Sequence, residues 1–230
     1  MLKKNKFRLI TNILTAAIKL WLRTQVSHVE QLQVEIVGGD RQIISGNIPT
    51  VSIFAQKAVY QGLHLSLVDL VAKNIRIDIS SVLKGQNLQL LEKVSVFAEL
   101  NQQEADLSAS LSSTLLSTAL NDVLVKLLPE YSANSKSTSW QKITIKDGLL
   151  VIFAIIDQEN NPQPLDICMG LKLLSPHELS IAPISVTSNT KTLFESHEGE
   201  YIDLGSDVEI QDLQIIPGNI ICRGTINVNP

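Results

Sequence analysis

Alternation of aliphatic and polar residues is the pattern that most restricts how this chain can fold. Leu32, Val34 and Ile36 alternate with Gln33 and Glu35, and comparable runs recur along most of the sequence. A period of two places every second side chain on one face of a β-strand, so each run predicts a half-buried strand. Turn residues separate the runs, which predicts about ten strands joined as consecutive antiparallel hairpins.

The turns are marked by segments of two or three residues that contain glycine. Gln61–Gly62, Asp147–Gly148 and Pro217–Gly218–Asn219 each separate two aliphatic runs and predict hairpin turns. Gly38–Gly39–Asp40 is also interpreted as a hairpin turn, because no helix is predicted after it to complete a phosphate-binding loop. Aromatic residues make up 4% of the chain and apolar residues 44%, so the predicted core is aliphatic.

Four segments depart from simple alternation. The phase slips near Val68, which predicts a bulge or strong local twist. The unbroken apolar run Leu149–Ile156 predicts a strand buried on both faces. Residues 195–212 contain many acids and no base, and predict a solvated loop that leads into a strand. Residues 130–139 predict a polar connector.

Helices are predicted at the N-terminus and near the middle. Residues 1–29 place polar side chains at three- or four-residue steps opposite an apolar face, which predicts an amphipathic helix. Residues 102–111 predict a second helix, with Asn101 and Glu104 resembling a capping box. Residues 114–128 predict a third, which Pro129 ends.

Together these elements predict an α+β fold: an elongated, curled antiparallel β-sheet with an N-terminal amphipathic helix and a central helical pair. We expect one domain over residues 1–230. Its parts are the helix (1–28), a first strand-rich half that ends in helices (29–128), a polar connector (129–139) and a second strand-rich half (140–230).

Charge is distributed unevenly along the chain. The first 29 residues carry six basic side chains and no acid, whereas the remainder has an excess of acids that brings the whole chain to −4. A cationic amphipathic helix on an acidic body indicates contact with an anionic surface such as lipid headgroups. The alternative is a docked helix with a solvated outer face, and the two interpretations are compatible.

Composition and motifs exclude several classes of function. A pI near 5.6 argues against a nucleic-acid-binding protein. The apolar stretch 9–22 is too short and too polar for a membrane span or a convincing signal peptide. We therefore expect a cytoplasmic protein that is not exported. We expect it to associate peripherally with a membrane, which could be the plasma or the thylakoid membrane. Cys168 and Cys222 are expected to be reduced, buried thiols.

No motif for catalysis or for a cofactor is apparent. The four histidines lack metal-ligand spacing, and no nucleophile elbow, phosphate-binding loop or Cys-x-x-Cys pair occurs. His197 lies between Glu195 and Glu198, and these side chains are interpreted as lying on a solvent-exposed loop. Cys168 has no basic neighbour in the sequence to activate it. We therefore predict no enzymatic activity, no metal and no cofactor.

Several stretches resemble the LmeA-like phospholipid-binding family, in its cyanobacterial and plastid branch, over nearly the whole chain. The stretches that carry the resemblance are Leu20-Trp-Leu-Arg-Thr-Gln-Val26, Asp40-Arg-Gln-Ile-Ile-Ser-Gly46, Val59-Tyr-Gln-Gly-Leu-His-Leu65, Glu104-Ala-Asp-Leu-Ser-Ala-Ser-Leu111, Tyr201-Ile-Asp-Leu-Gly205 and Pro217-Gly-Asn-Ile-Ile-Cys-Arg-Gly224. The resemblance implies a β-rich domain like the tubular lipid-binding (TULIP) modules, in which a helix and a curled sheet enclose a groove for acyl chains. It implies phospholipid binding without enzymatic activity.

Three hypotheses follow for the function. The first is a lipid-binding or lipid-transfer protein that holds acyl chains between the sheet and the N-terminal helix. The second is a membrane-peripheral structural or adaptor protein with a fully packed core, and the third is a lipid-active enzyme. For the first, we expect groove or core positions at Ile10, Leu14, Ala17 and Trp21, and headgroup contacts at Lys3, Lys4, Lys6 and Arg8.

Overall fold

The computed structural model describes residues 4–86, 88–129, 135–158 and 161–230. Helical segments are few, and most of the described chain is strand. The helices are α1 (Lys4–Gln25), α2 (Asp40–Ile44), α3 (Ile79–Leu83), α4 (Glu104–Ala109) and α5 (Thr114–Leu127), with a 3₁₀ turn at Ser110–Ser112. The strands are β1 (His28–Val37), β2 (Asn47–Tyr60), β3 (Leu63–Arg76), β4 (Val94–Gln103), β5 (Ser135–Lys146), β6 (Leu149–Gln158), β7 (Asn161–Ser175), β8 (Glu178–Ser188), β9 (Lys191–Ser196), β10 (Glu200–Asp203), β11 (Val208–Ile216) and β12 (Asn219–Val228).

The strands form two open antiparallel sheets, and the predicted α+β class is confirmed. In the first sheet the order is β1-β2-β3-β4-β12-β11. In the second it is β10-β8-β7-β6-β5, and β9 pairs with β8 beside β10. Sequence predicted a single curled sheet of consecutive hairpins. The two sheets are separate because β4 is followed by α4 and α5 and does not pair with β5. The C-terminal hairpin β11–β12 returns to extend the first sheet beyond β4.

The predicted hairpin turns after β2, β5 and β11 are confirmed. Gln61 and Gly62 both have positive φ, at 49° and 83°, which suits the tight turn between β2 and β3. Gly148 and Gly218 adopt φ of 67° and 77° in the other two turns. Their backbone N–H groups donate to Ile215 and Ile145 of the other hairpin, so these two turns also join the sheets.

Two predictions about turns and bulges are wrong in part. Residues 38–40 lie between the paired strands β1 and β2, but they lead into the short helix α2 rather than forming a tight hairpin turn. The Gly39 N–H donates to the Gln42 side chain at 3.2 Å. No bulge occurs at Val68, since β3 keeps a constant register with β2 and β4 there. The inward face changes phase later, at Asn74, whose φ is 54°.

The predicted central helices are present as α4 and α5, but the predicted capping box is not. Gln103 is the residue before α4, and its side chain makes no capping bond. The Glu104 carboxylate instead accepts a hydrogen bond from the Ile145 N–H at 2.8 Å, which ties α4 to β5. At α5, the Ser113 hydroxyl accepts from the Leu116 N–H at 3.2 Å and caps the helix start.

The second half contains more strand than its sequence predicts. The acidic stretch 195–212 forms the end of β9, all of β10 and the start of β11 rather than a solvated loop. These strands form because Phe194 on β9 and Ile202 on β10 pack against the aliphatic core of the second sheet. The predicted connector also ends early, since β5 begins at Ser135; residues 130–134 lie outside the described chain. Strand β6 is fully buried on one face only, since burial alternates along it.

Two separate aliphatic cores result from this arrangement. One lies on the second sheet beneath α5 and includes Leu124, Ile152 and Ile167. The other joins the first sheet to α1 and α2 and includes Leu14, Ile43 and Ile48. The cysteines lie on different sheets as free thiols, Cys168 on β7 and Cys222 on β12. Burial, with Asp212 nearby, raises the pKa of the Cys222 thiol.

Candidate functional site

Helix α1 covers only part of the inner face of the first sheet. Leu14 and Ile18 anchor it, with Leu14 only 1% exposed in a core shared with Ile43, Ile48 and Ile75. These contacts hold the middle of the helix against the sheet. Toward the C-terminal end of α1 the helix and the sheet separate, and the space between them is open.

That space is a cavity of about 700 Å³ bounded by six parts of the chain. They are the C-terminal end of α1, the inner faces of β2, β3 and β4, the segment before β4, and the end of β12 with the residues that follow it. The lining residues are Ile18, Trp21, Leu22, Ile48, Val51, Ile53, Leu70, Ala72, Ile75, Ile77, Leu88, Gln89, Leu90, Val94, Val96, Ile226, Val228, Asn229 and Pro230.

The lining is almost wholly aliphatic. Gln89 and Asn229 are the two residues with polar side chains among those that line it, and none of the described lining side chains is charged. A volume of about 300–1,000 Å³ is usual for sites that take small molecules. An apolar wall of this kind gains free energy by covering hydrocarbon and offers little to a charged group. The cavity therefore suits a chain-like apolar ligand.

One side of the cavity opens to solvent between α1 and β12. Trp21, Ile226 and Val228 each line the cavity and are also exposed over about two-fifths of their surface, at 43%, 42% and 41%. Large apolar side chains that are both lining and exposed mark the boundary of the opening. We call these three residues the mouth. An elongated ligand could enter here without displacing buried core residues.

The far wall is formed by the segment between β3 and β4, which is held at both ends. Ile77 and Leu90 form an isolated antiparallel bridge, and the Leu91 N–H donates to the Arg76 carbonyl at 2.8 Å. Helix α3 lies within this segment, and the Asp78 side chain caps its N-terminus. Hydrogen bonds from Ser80 and Ser81 stabilise the Asp78 carboxylate and lower its pKa to about 2. The cap thus keeps its charge at neutral pH.

The residues predicted for a groove or core separate into two groups. Trp21 lines the cavity at its mouth. Leu14 is buried in the core, and Ile10 and Ala17 pack half-buried against it. Of the predicted headgroup contacts, Lys3 lies outside the described residues. Lys4, Lys6 and Arg8 belong to α1, and their side chains lie outside what the structure describes. A role for any of these eight residues in lipid contact remains a prediction.

Most of the lining was not predicted. Several lining residues lie on strands that the alternating pattern does identify. They are Leu70 and Ala72 on β3, Val94 and Val96 on β4, and Ile226 on β12. Alternation tells which residues share a face, but a cavity wall and a packed core have the same aliphatic composition. No local signal in the sequence would have separated them.

Other kinds of site have little support in the part of the chain that the structure describes. No group of three or more His, Cys, Asp or Glu side chains there is placed to hold a metal ion. Within the same residues, no helix is long and apolar enough to cross a membrane.

The comparison with known families agrees with the geometry. The family model described as LmeA-like phospholipid-binding matches residues 7–225. The chain belongs to the LmeA-like phospholipid-binding family. No curated protein and no solved structure matched the sequence of this chain.

Membership in the LmeA-like family confirms the resemblance that the sequence motifs indicated, and it supports lipid binding in general. The match spans both sheets and the cavity walls, apart from the last lining residues of β12 and the two that follow it. The family is described by phospholipid binding and not by an enzymatic activity. Placement in a cyanobacterial and plastid branch, and the likeness to TULIP modules, remain predictions.

Proposed function

We propose that this chain is a non-enzymatic phospholipid-binding protein that holds an acyl chain in the cavity between α1 and the first sheet. The observation that carries the proposal is the cavity itself, which is about 700 Å³ in volume and lined almost entirely by aliphatic side chains. Family membership supports a phospholipid as the ligand class. One domain, residues 1–230, would carry this function.

The energetics of acyl burial are sufficient for binding. Removing one methylene from water contributes about 0.8 kcal/mol, so a chain of about 16 carbons contributes on the order of 10 kcal/mol before ordering costs. Those costs are several kcal/mol, because the ligand loses translational freedom and the acyl chain loses rotamers. The balance remains favourable for a preformed apolar site.

The headgroup would stay outside the cavity. Burying a phosphate requires charged or hydrogen-bonding partners, and Gln89 and Asn229 are the polar side chains that the lining offers. The phosphate therefore remains in water at the mouth, beside Trp21. Such an arrangement selects for a hydrocarbon tail and tolerates different headgroups.

A lipid carrier must meet a membrane to load and unload. We propose that the cationic N-terminal helix makes this contact with an anionic surface, so that the protein associates peripherally with the membrane and transfers lipid there. Each basic residue near such a surface contributes about 1 kcal/mol. The adaptor hypothesis instead requires a fully packed core, and the cavity gives it no support.

Filling the cavity tests the proposal. Ala72 lines the cavity on β3, and Val71, the preceding residue, points to the opposite face of the sheet. Chains carrying Ala72→Phe or Val71→Phe are purified without detergent beside the wild type, and phospholipid is extracted from each and measured against protein. We expect Ala72→Phe to lose most of the bound lipid and to keep or gain thermal stability, because the ring fills empty space.

Val71→Phe is the matched control, since it adds the same ring to the other face. It should keep the lipid content of the wild type. Equal lipid content in all three proteins, or no lipid in the wild type even after incubation with phospholipid vesicles, would overturn the proposal.

A further inference from the structure

Only part of the apolar face of helix α1 is covered. The most buried line of the helix runs through Leu14 and Ile18, and Lys19 is half-buried. Packing along this line leaves one edge of the apolar face uncovered. The described part of α1 therefore presents apolar side chains to solvent.

The outward residues form a regular stripe. Ile13, Ala16 and Leu20 follow one another at three- and four-residue steps, which places them on one side of the helix. Ile13 is 43% exposed and Leu20 is 65% exposed. We call these three residues the outer stripe. An exposed Leu alone needs no explanation, but a stripe of apolar residues along one helix face does.

The outer stripe leads to the mouth of the cavity. Trp21 follows Leu20 in sequence, and half-buried Ala17 lies between them on the helix surface. Trp21, together with Ile226 and Val228, forms the mouth of the cavity. Exposed apolar surface thus extends from the outside of α1 to the opening.

Charge on the same helix identifies the kind of partner. Lys19 and Arg23 lie within one turn of Leu20, and neither forms an ion pair with any carboxylate among the residues that the structure describes. Cationic side chains beside exposed apolar ones on one helix are typical of a helix that lies on an anionic lipid surface.

We infer that the outer stripe and the mouth together form a surface that inserts into an anionic phospholipid bilayer, with the cavity opening toward the membrane. This inference rests on the proposed function and adds the orientation in which lipid would be exchanged. With the mouth in the bilayer, an acyl chain passes between cavity and membrane without exposure to water. The apolar side chains at the mouth are also removed from water when the protein docks on the membrane.

A second copy of the chain is a poorer occupant of this surface. In a two-fold symmetric dimer the same patch meets itself, so Lys19 and Arg23 of one copy would approach those of the other. Like charges brought together in this way are repelled. A bilayer that contains acidic headgroups supplies the opposite charge and an apolar interior together.

Vesicle flotation tests the docking surface. The full chain carrying Ile13→Gln and Leu20→Gln is mixed with vesicles of phosphatidylcholine, with or without phosphatidylglycerol. The matched control is the double variant Leu115→Gln, Val125→Gln, which changes two comparably exposed apolar residues on α5. We expect the α1 variant to partition into vesicles that contain phosphatidylglycerol about tenfold less well than wild type, and the α5 variant to partition like wild type.

Four outcomes would overturn the inference. The first is partitioning of the α1 variant that equals that of the wild type, and the second is an equal loss of partitioning in the α5 variant. The third is a wild type that does not float with vesicles. The fourth is an α1 variant that loses self-association but floats like the wild type. Phospholipid extracted from the same preparations separates the two proposals. Bound lipid at the wild-type level with unchanged flotation refutes only the docking surface, whereas absence of lipid from the wild type refutes the proposed function.

Discussion

Lys57 on β2 and Asp106 on α4 form a close ion pair, with Nζ and Oδ2 separated by 2.6 Å. The Ser66 hydroxyl also donates to the Asp106 carboxylate, and it accepts a hydrogen bond from the Gln103 N–H at 2.8 Å. Lys57 adopts a positive φ of 50°, which is uncommon for a residue with a side chain. This polar cluster fixes α4 to the strands of the first sheet.

Asp106→Asn should therefore destabilise the fold at neutral pH. The substitution removes the charged acceptor of two hydrogen bonds, which costs about 1–3 kcal/mol. Asp122→Asn on the exposed face of α5 is the matched control and should change stability little. Urea unfolding followed by circular dichroism measures the difference. Equal midpoints for the two variants would contradict the structural role of the cluster.

The same pair predicts a pH dependence of stability. Burial would raise the pKa of Asp106, but hydrogen bonds from Lys57 and Ser66 outweigh burial and lower it. A carboxyl whose folded pKa is depressed contributes stability above its unfolded pKa of about 3.9, and that contribution is lost as pH falls through the folded value. The stability difference between wild type and Asp106→Asn should thus narrow below about pH 4. A constant difference would contradict this assignment.

Local signals predicted much of the fold. The alternating runs and glycine turns identified the hairpins at Gln61–Gly62 and Asp147–Gly148, and the apolar period with Pro129 identified α5. These features depend on residues close together in sequence, whose conformational preferences act through short-range sterics and hydrogen bonds. Distant residues have little influence on them.

Features that depend on distant residues were not predicted. Pairing of β12 with β4 joins segments more than a hundred residues apart, and no local pattern specifies it. It places the C-terminal hairpin in the first sheet and brings Ile226 and Val228 to the cavity. Which part of the apolar face of α1 is covered likewise depends on how Leu14 fits against Ile43 and Ile48. Periodicity gives the width of an apolar face but not the part that becomes covered.

Tryptophan fluorescence should report ligand at the mouth. Trp140→Phe leaves Trp21 as the one tryptophan, and Trp21 lines the cavity. Phosphatidylcholine brominated on its acyl chain should quench this variant strongly, because the bromine atoms would lie close to the indole ring. Trp21→Phe, which keeps Trp140 near Asn121 with an Nε1–Oδ1 distance of 3.1 Å, is the control. Stronger quenching of Trp140 than of Trp21 would contradict the proposed position of the lipid.

The basic N-terminal residues should control the salt dependence of membrane binding. Replacing Lys3, Lys4, Lys6 and Arg8 by Gln should weaken binding to phosphatidylglycerol vesicles and flatten its dependence on salt, while the fold is kept. The control removes four exposed charges from α5 and the second half of the chain. Its substitutions are Lys126→Gln, Lys142→Gln, Lys172→Gln and Lys191→Gln.

Vesicle sedimentation over a series of salt concentrations compares these two quadruple variants. Loss of binding in the N-terminal variant alone is the expected result. Identical curves for the two variants and the wild type would show that the N-terminal charges have no role at the membrane.

Photocrosslinking gives the most direct test of where the lipid lies. A phosphatidylcholine with a diazirine near the middle of one acyl chain is loaded onto the purified chain and irradiated, and the modified residues are located by peptide mass spectrometry. We expect adducts on cavity-lining residues, chiefly on β3 and β4 around Leu70, Ala72 and Val96. Adducts confined to exposed surfaces such as Leu115 and Val125 on α5, with none on the lining, would contradict it.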